Sequence, residues 1–309
     1  MVFARPGDRI AVTGATGFVG QTLVEHLVDS GYEVIGVSNH EHPPERIKRR
    51  LIEHHCADLT IEWPNIRPVQ GVIHLAGLAA VGPSFSNPQH YISTNSAMIT
   101  QLFERALQEN WKGRAVIISS GGVYGDSGHG QSLSEDSRTT ATSPYAVSKL
   151  LVERQTEYYR LRGIDALIAR PFNHIGPGQH SGFIVPDLAE KVMQWQPGTL
   201  LTVGNLDSAR DYTDVRDVVA AYRLLLEQSN PRYWTYNVCS GIARSGWDVL
   251  QAVCTAVGRP VPATEARPQR AVDPAIITGS AERIRHETGW RPGIEFQTSI
   301  DDFIAFKQS

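Results

Sequence analysis

Short apolar runs alternate with amphipathic stretches through the first half of the chain. Ile10-Ala11-Val12-Thr13 is a continuous apolar run of the kind that a buried parallel strand requires. Leu23, Val24, Leu27 and Val28 then recur at helical spacing until Ser30-Gly31 stops the helix, and Glu33 to Val37 predicts a second strand. The alternation continues with a strand from Gly71 to Leu75 and a tight turn at Ala76-Gly77. It goes on with a helix over Ala97–Leu107, a strand from Arg114 to Ser120, a helix opened by Ser143-Pro144 and ended near Arg162-Gly163, and a strand from Ile164 to Ala169. Such a βα alternation predicts an α/β fold with a doubly wound parallel sheet and ligands at the carboxyl ends of its strands. The regularity breaks after Arg170-Pro171. Gly and Pro become frequent between Pro171 and Gly204 and again from Gly258 to Pro274, which predicts a smaller, irregular cap over the sheet. Between these stretches, Asp214 to Glu227 reads as a helix and Tyr236-Asn237-Val238 as a strand that rejoins the main sheet. The expected division is 1–170 plus about 206–240 for the nucleotide-binding domain. A discontinuous substrate-binding α/β cap of about 171–205 plus 241–309 completes it.

Composition narrows the partners. The chain has 309 residues, 41% hydrophobic content and a net charge of -3, as an ordinary soluble protein has. The one basic run, Arg46 to Arg50, is short and stands alone, so no nucleic-acid partner is expected. No apolar run is long enough to span a membrane and the N-terminus lacks a signal-like apolar core, so the expected location is cytoplasmic. Cys56, Cys239 and Cys254 have neither metal-ligand spacing nor an even count, which predicts buried thiols in a reducing compartment. His54 and His55 are adjacent and point to different sides of an element, so no metal site is expected.

The candidate chemistry sits in the turns. Gly14-Ala15-Thr16-Gly17-Phe18-Val19-Gly20 lies between the first strand and its helix, where glycines let backbone approach a pyrophosphate at the positive helix end. In NAD sites an acid commonly ends the second strand and holds the ribose hydroxyls. Here that position is Ser38, followed by Asn39 and His40, so NADPH fits better than NADH. Arg46, Lys48, Arg49 and Arg50 are candidates to meet a 2′-phosphate, or else a solvated helix face. Thr13 is either a cofactor neighbour or a packing residue. Tyr145 and Lys149 lie one turn apart, so their side chains meet on one helix face. An ammonium there favours the phenolate, and the spacing predicts a lowered Tyr145 pKa. Ser119-Ser120 ends a strand, where the sheet presents side chains to ligand.

With the glycine turn, the Tyr145/Lys149 pair and a serine at a strand end in this order, the chain resembles the extended short-chain dehydrogenases/reductases. The likeness is to their nucleotide-sugar branch, over nearly the whole length. Further matches are His74-Leu75-Ala76-Gly77, Asp58-Leu59, Asn95, Val123-Tyr124-Gly125 and Arg210-Asp211-Tyr212. Arg170-Pro171-Phe172-Asn173-His174-Ile175-Gly176-Pro177-Gly178-Gln179 and Val203-Gly204-Asn205-Leu206 are most similar to the GDP-4-keto-6-deoxy-D-mannose reductases, which make GDP-D-rhamnose. The resemblance implies a Rossmann domain with Ser120, Tyr145 and Lys149 as catalytic residues, Ser119 being the alternative hydroxyl. It implies cofactor contacts at Gly14, Gly17, Phe18, Val19, Gly20, Ser38 and Asn39. Others fall at Asp58, Leu59, Leu75, Ala76, Gly77 and Asn95, and at Pro171, Asn173, His174 and Ile175. Substrate contacts are implied at Ser84, Ser120, Tyr145, Asn173, Val185, Lys191, Asn205, Arg210 and Arg270, with Arg210 near the diphosphate, where a guanidinium fork suits phosphate oxygens. Arg270 matches less well, since Arg267-Pro268 nearby confuses the alignment. A homodimer through a four-helix bundle is implied too, with Tyr158, Tyr159, Leu102 and Phe103 as candidate contacts.

This scaffold hosts dehydratases, epimerases and reductases, so fold alone does not choose. Dehydration needs an acid-base pair directly after the catalytic hydroxyl, and Gly121-Gly122 offers none. An epimerase normally keeps the ribose-binding acid that Ser38 replaces. The expected reaction is NADPH-dependent reduction of the C4 ketone of a GDP-linked 4-keto-6-deoxy hexose. NADH is the alternative reductant, NAD-dependent 4-epimerisation the alternative reaction, and a non-catalytic dinucleotide sensor the remote one.

Overall fold

A computed structural model describes residues 4–126, 131–266 and 274–308. The first part of the chain runs β1 (Arg9–Thr13), α1 (Phe18–Asp29), β2 (Glu33–Ser38), α2 (Glu45–Lys48), β3 (Leu51–Cys56) and β4 (Gly71–His74). It continues with α3 (Val81–Ser84), α4 (Pro88–Gln108), β5 (Arg114–Ile118), α5 (Pro144–Leu161) and β6 (Asp165–Pro171). The second part holds β7 (Asn173–Ile175), α6 (Ile184–Gln194), β8 (Leu201–Val203), β9 (Ala209–Asp214), α7 (Val215–Glu227) and β10 (Thr235–Val238). It closes with β11 (Ala243–Ser245), α8 (Gly246–Val257), β12 (Thr264–Ala266), β13 (Ile276–Ile277), α9 (Glu282–Thr288) and α10 (Phe296–Gln308).

Seven strands form one parallel sheet in the order β10-β6-β5-β4-β1-β2-β3, the doubly wound Rossmann arrangement. Its central strands are buried on both faces, as their unbroken apolar runs require. One face packs α1 and α7 through Leu23, Leu27, Val219 and Tyr222; the other packs α4 and α5 through Ile99, Phe103, Val152 and Tyr159. Helix starts follow local chemistry. Ser143 caps α5 by accepting from the Ala146 amide at 3.1 Å, and Asp214 caps α7 through the Arg216 amide at 2.8 Å.

The cap has its own core, built from α6, α8 and α10 around Val185, Leu188, Val249, Val253 and Phe303. A sheet of β11, β9, β13 and β7 joins cap to main domain. β9 pairs with β7, β11 and β13, and Ile284 of α9 and Trp290 are buried in the core beside α7. The strand β3 was not anticipated: as an edge strand it carries Glu53, His54 and His55 and lacks a clean apolar pattern. Cys239 and Cys254 are buried as expected, whereas Cys56 is exposed at the end of that same edge strand.

Candidate active site

A cavity of about 390 Å³ opens between the carboxyl ends of the sheet strands and the cap. Phe18, Val19, Leu75, Val81, Phe85 and Phe183 supply apolar wall, and Ser120, Tyr145, Lys149 and Arg210 supply polar groups. This is the size and mixed polarity of a small-ligand site.

The glycine turn is built for close backbone approach. Gly14 holds φ +67°, and a Cβ there would lie 3.0 Å from the Ala76 amide nitrogen; a Cβ on Gly20 would lie 2.1 Å from the Gly14 carbonyl oxygen. The N-cap of α1 is Gly17, which has no side chain to occupy the first amides of the helix. The turn thus offers an open, positively polarised cradle that suits a pyrophosphate, so these residues fit a dinucleotide. Ala76 and Thr13 are tied together: the Ala76 amide donates to Thr13 Oγ1 at 3.1 Å, and His74 Nδ1 lies 3.0 Å from the same oxygen. Thr13 is therefore a buried brace. Ser38 is buried at the end of β2, with its hydroxyl 3.0 Å from His54 Nε2, and Asn39 is exposed beside it. His40 sits across from the glycine turn, its Nδ1 3.0 Å from Thr16 Oγ1. Burial, then the neighbouring His55, His40 and His42 imidazoles, lowers the His54 pKa.

The basic run near this point is largely neutralised. Arg46 makes a forked ion pair with Glu25 at 2.9 and 2.6 Å, Arg50 pairs with Asp29 at 2.5 Å, and Lys48 pairs with Glu45 at 2.8 Å. The carboxylates come from α1 and α2, and Arg49 is exposed. Asp58 lies exposed after β3 and accepts from the Thr60 amide and hydroxyl, which lowers its pKa. Leu59 is buried against Val37 and Met98. Asn95 does not line the cavity. Its amide accepts from the Leu78 backbone at 2.8 Å and donates to Ser148 at 2.9 Å, bracing the turn after β4 against α5.

Tyr145 and Lys149 both face the cavity from α5, and Ser120 faces them from the end of β5. Ser120 Oγ accepts from the Gly122 amide at 3.0 Å. Ser119 also lines the cavity, but its hydroxyl is engaged, donating to Glu153 at 2.5 Å. Lys149 Nζ donates to the Ile118 carbonyl at 2.9 Å and lies 5.9 Å from the Tyr145 ring centre. Burial lowers the Lys149 pKa to about 8, against an opposing pull from Glu153. The Tyr145 pKa moves opposite to the expectation from spacing. Burial raises it, and a hydrogen bond with Ser120 offsets only part of that rise. At neutral pH the phenol is a loaded proton donor.

Behind the site, Arg170 forks onto Glu153 at 2.8 and 2.7 Å and donates to the Tyr124 hydroxyl at 2.7 Å. Tyr124 in turn donates to Asn237 at 2.8 Å. This buried chain links the helix that carries Tyr145 and Lys149 to the edge strand β10.

Pro171, Asn173, His174 and Ile175 all line the cavity where the chain leaves β6, and His174 stacks on Phe18 with ring centres 6.0 Å apart. Of the implied substrate residues, Ser120, Tyr145, Asn173, Val185 and Arg210 line the cavity. Ser84, Lys191 and Asn205 do not. Ser84 donates to the Val81 carbonyl, Lys191 to the Thr202 carbonyl, and Asn205 accepts from the Asp207 amide. Arg270 lies outside the described residues. The structure adds Phe85, Gln179, Phe183, Tyr212, Tyr222 and Ile277, which sequence reasoning did not single out as ligand contacts. Of these, Gln179 and Tyr212 carried a signal, since each closes a motif quoted for the family resemblance. Leu102, Phe103 and Tyr159 pack inside the main-domain core, so of the four candidate dimer contacts Tyr158 alone is exposed.

Comparison with known proteins agrees with this geometry. Residues 10–239 match the NAD dependent epimerase/dehydratase family. The chain is 32% identical over 303 residues to GDP-6-deoxy-D-mannose reductase of Pseudomonas aeruginosa, covering 95% of both sequences. It is 27% identical to a UDP-glucose 4-epimerase of Corynebacterium glutamicum, covering 96% of this chain and 95% of that one. Among solved structures it is similar to the Thermus thermophilus UDP-glucose 4-epimerase complex with NAD, with TM-score 0.87, 28% identity, and coverage of 97% and 99%. It is also similar to RMD from Pseudomonas aeruginosa complexed with NADPH, with TM-score 0.82, 28% identity, and coverage of 98% and 100%. The chain belongs to the NAD-dependent epimerase/dehydratase family of extended short-chain dehydrogenases/reductases and is an NAD(P)-dependent oxidoreductase.

Proposed function

We propose that the protein reduces the C4 ketone of a nucleotide-linked 4-keto-6-deoxy hexose with NADPH, converting GDP-4-keto-6-deoxy-D-mannose to GDP-D-rhamnose. The observation that carries this reading is the make-up of the cavity. Tyr145, Ser120, Lys149 and Arg210 line it together with Tyr212 and Tyr222, and no Asp or Glu lines it among the described residues. Removal of a C5 proton and of the C6 hydroxyl would need a further acid-base group, and Gly121-Gly122 leaves none beside Tyr145. The apolar walls of Val81, Phe85 and Phe183 suit a sugar that carries a methyl group at C6.

A nicotinamide dinucleotide held along the Gly14–Gly20 turn would supply the hydride for the C4 carbon. Tyr145 donates its proton to the C4 oxygen, and Ser120 hydrogen-bonds that oxygen as charge develops on it. Lys149, charged below its pKa of about 8, stabilises the tyrosinate left behind. Arg210 meets the diphosphate at the cap side. Preference for NADPH is supported by the buried Ser38, which puts no carboxylate against a 2′-phosphate. With Arg46 and Arg50 engaged by Glu25 and Asp29, the exposed Arg49 is a cationic candidate for that phosphate and His40, beside the glycine turn, a hydrogen-bonding one. A homodimer is supported by the outer face of α5, where Val147, Leu151, Tyr158 and Leu161 form an exposed apolar stripe at helical spacing.

The test is absorbance at 340 nm with NADPH and GDP-4-keto-6-deoxy-D-mannose, run with wild type and Tyr145→Phe. The reading expects substrate-dependent NADPH oxidation in the wild type alone. Interconversion of a UDP-hexose with NAD and no net NADPH consumption would favour the epimerase instead.

A further inference from the structure

Arg46, on α2, makes contacts that cross from the main domain to the cap. Its Nε and Nη2 fork onto Glu25 of α1 at 2.9 and 2.6 Å. The third nitrogen, Nη1, lies against the chain at Gly178: a Cβ there would come within 3.0 Å of it and 3.8 Å of the Phe306 ring. The guanidinium carbon sits 5.6 Å from the centre of that same ring, within cation–π range. Phe306 belongs to α10, the helix that buries Ile300, Phe303 and Ile304 in the cap core. Three segments distant in sequence therefore meet at one side chain. A lysine would reach Glu25 but has no planar fork to serve the carboxylate, the Gly178 backbone and the ring together.

The segment that Arg46 touches continues into cavity wall. Gln179 follows Gly178, is buried, and donates from Nε2 to the His174 carbonyl at 3.1 Å. Gln179 and His174 line the cavity, as do Phe183 and Val185 where the same segment enters α6. Opposite them, α1 opens with Phe18, which lines the cavity and stacks on His174. We infer that Arg46 is a positioning residue, a latch that holds the 176–185 segment and the end of α10 onto α1 and so keeps the cap wall of the cavity in place around the sugar. Its effect on turnover rests on the ketone reduction proposed above; its effect on the segment does not.

Arg46→Leu and Phe306→Ala, singly and together, test it. Steady-state kinetics of Arg46→Leu with GDP-4-keto-6-deoxy-D-mannose should show KM raised about tenfold and kcat within about twofold of wild type, since Ser120, Tyr145 and Lys149 stand on other elements. NADPH and NADH dissociation constants should be unchanged, and backbone hydrogen exchange over 176–185 should be faster. Phe306→Ala should move KM the same way, and the double variant no further than the larger single one, because the two side chains act as one unit. An unchanged KM overturns the inference. So does weaker NADPH binding with NADH unaffected, which would assign Arg46 to the 2′-phosphate, or a fall in kcat as large as the rise in KM, which would assign it to the fold. A wild type that does not oxidise NADPH with this sugar overturns the proposed reaction instead. Hydrogen exchange then decides the latch alone: equal rates over 176–185 in wild type and Arg46→Leu overturn it.

Discussion

Glu153→Gln separates two roles of one buried carboxylate. The side chains of Glu153 and Arg170 are 5% and 9% exposed, and the guanidinium forks onto both carboxylate oxygens at 2.8 and 2.7 Å. Glutamine keeps the shape but removes the charge and turns an amide N–H₂ toward a donor. Removing one partner of a buried pair costs about 3–5 kcal/mol, because the other charge stays buried without compensation. Arg170 keeps its bond to Tyr124, which places the loss at the lower end, about 3 kcal/mol. At about 2 °C per kcal/mol for a chain of this size, the melting temperature should fall by about 6 °C. Glu153 also lies one turn beyond Lys149 and raises its pKa, so the variant should carry the Lys149 titration below about 8. The assays are urea unfolding and a pH profile of kcat/KM, whose alkaline limb should shift to lower pH. Replacing both residues by methionine should recover most of the stability, since a well-packed apolar pair replaces a buried ion pair at little cost. A loss below about 1 kcal/mol, or an unmoved alkaline limb, would refute the reasoning.

Three further outcomes follow from the same geometry. Ser120→Ala should lower kcat about 10²- to 10³-fold with little change in KM, because it removes a donor used as the oxyanion develops; steady-state kinetics check it. Lys149 is a buried lysine whose pKa falls from 10.5 to about 8, so the free protein should gain stability as pH rises between those values, by about 3 kcal/mol in all. The unfolded chain binds more protons in that window, which sets the sign; urea unfolding of Lys149→Met should show no such rise. Gly20→Ala should abolish dinucleotide binding and destabilise the fold, since its Cβ would collide with the Gly14 carbonyl; calorimetry and thermal melting read both effects.

Local chemistry made much of the site legible. The glycine turn, the cap of α5 by Ser143 and the one-turn spacing of Tyr145 and Lys149 each depend on residues close in sequence; Phe18 and Val19 of the turn, Ser143, Tyr145 and Lys149 line one cavity. What failed depends on residues far apart. Arg46 and Arg50 are engaged by Glu25 and Asp29, about twenty positions earlier, a pairing that the basic segment itself does not reveal. The Tyr145 pKa rises because the fold buries it, an effect that the Lys149 spacing does not contain. Leu102, Phe103 and Tyr159 lie between α4, α5 and the sheet, and helical periodicity cannot distinguish that inner face from a dimer face.

The central claim is hydride delivery to C4 with Tyr145 as the proton donor. It is tested most directly by turnover of GDP-4-keto-6-deoxy-D-mannose with NADPH deuterated at C4 of the nicotinamide on the transferred face, followed by mass spectrometry and NMR of the sugar. The account predicts GDP-D-rhamnose with one deuterium at C4 and one NADP formed per product, and loss of both products in Tyr145→Phe. An unlabelled sugar, or a C4 epimer formed without net NADPH oxidation, would contradict it.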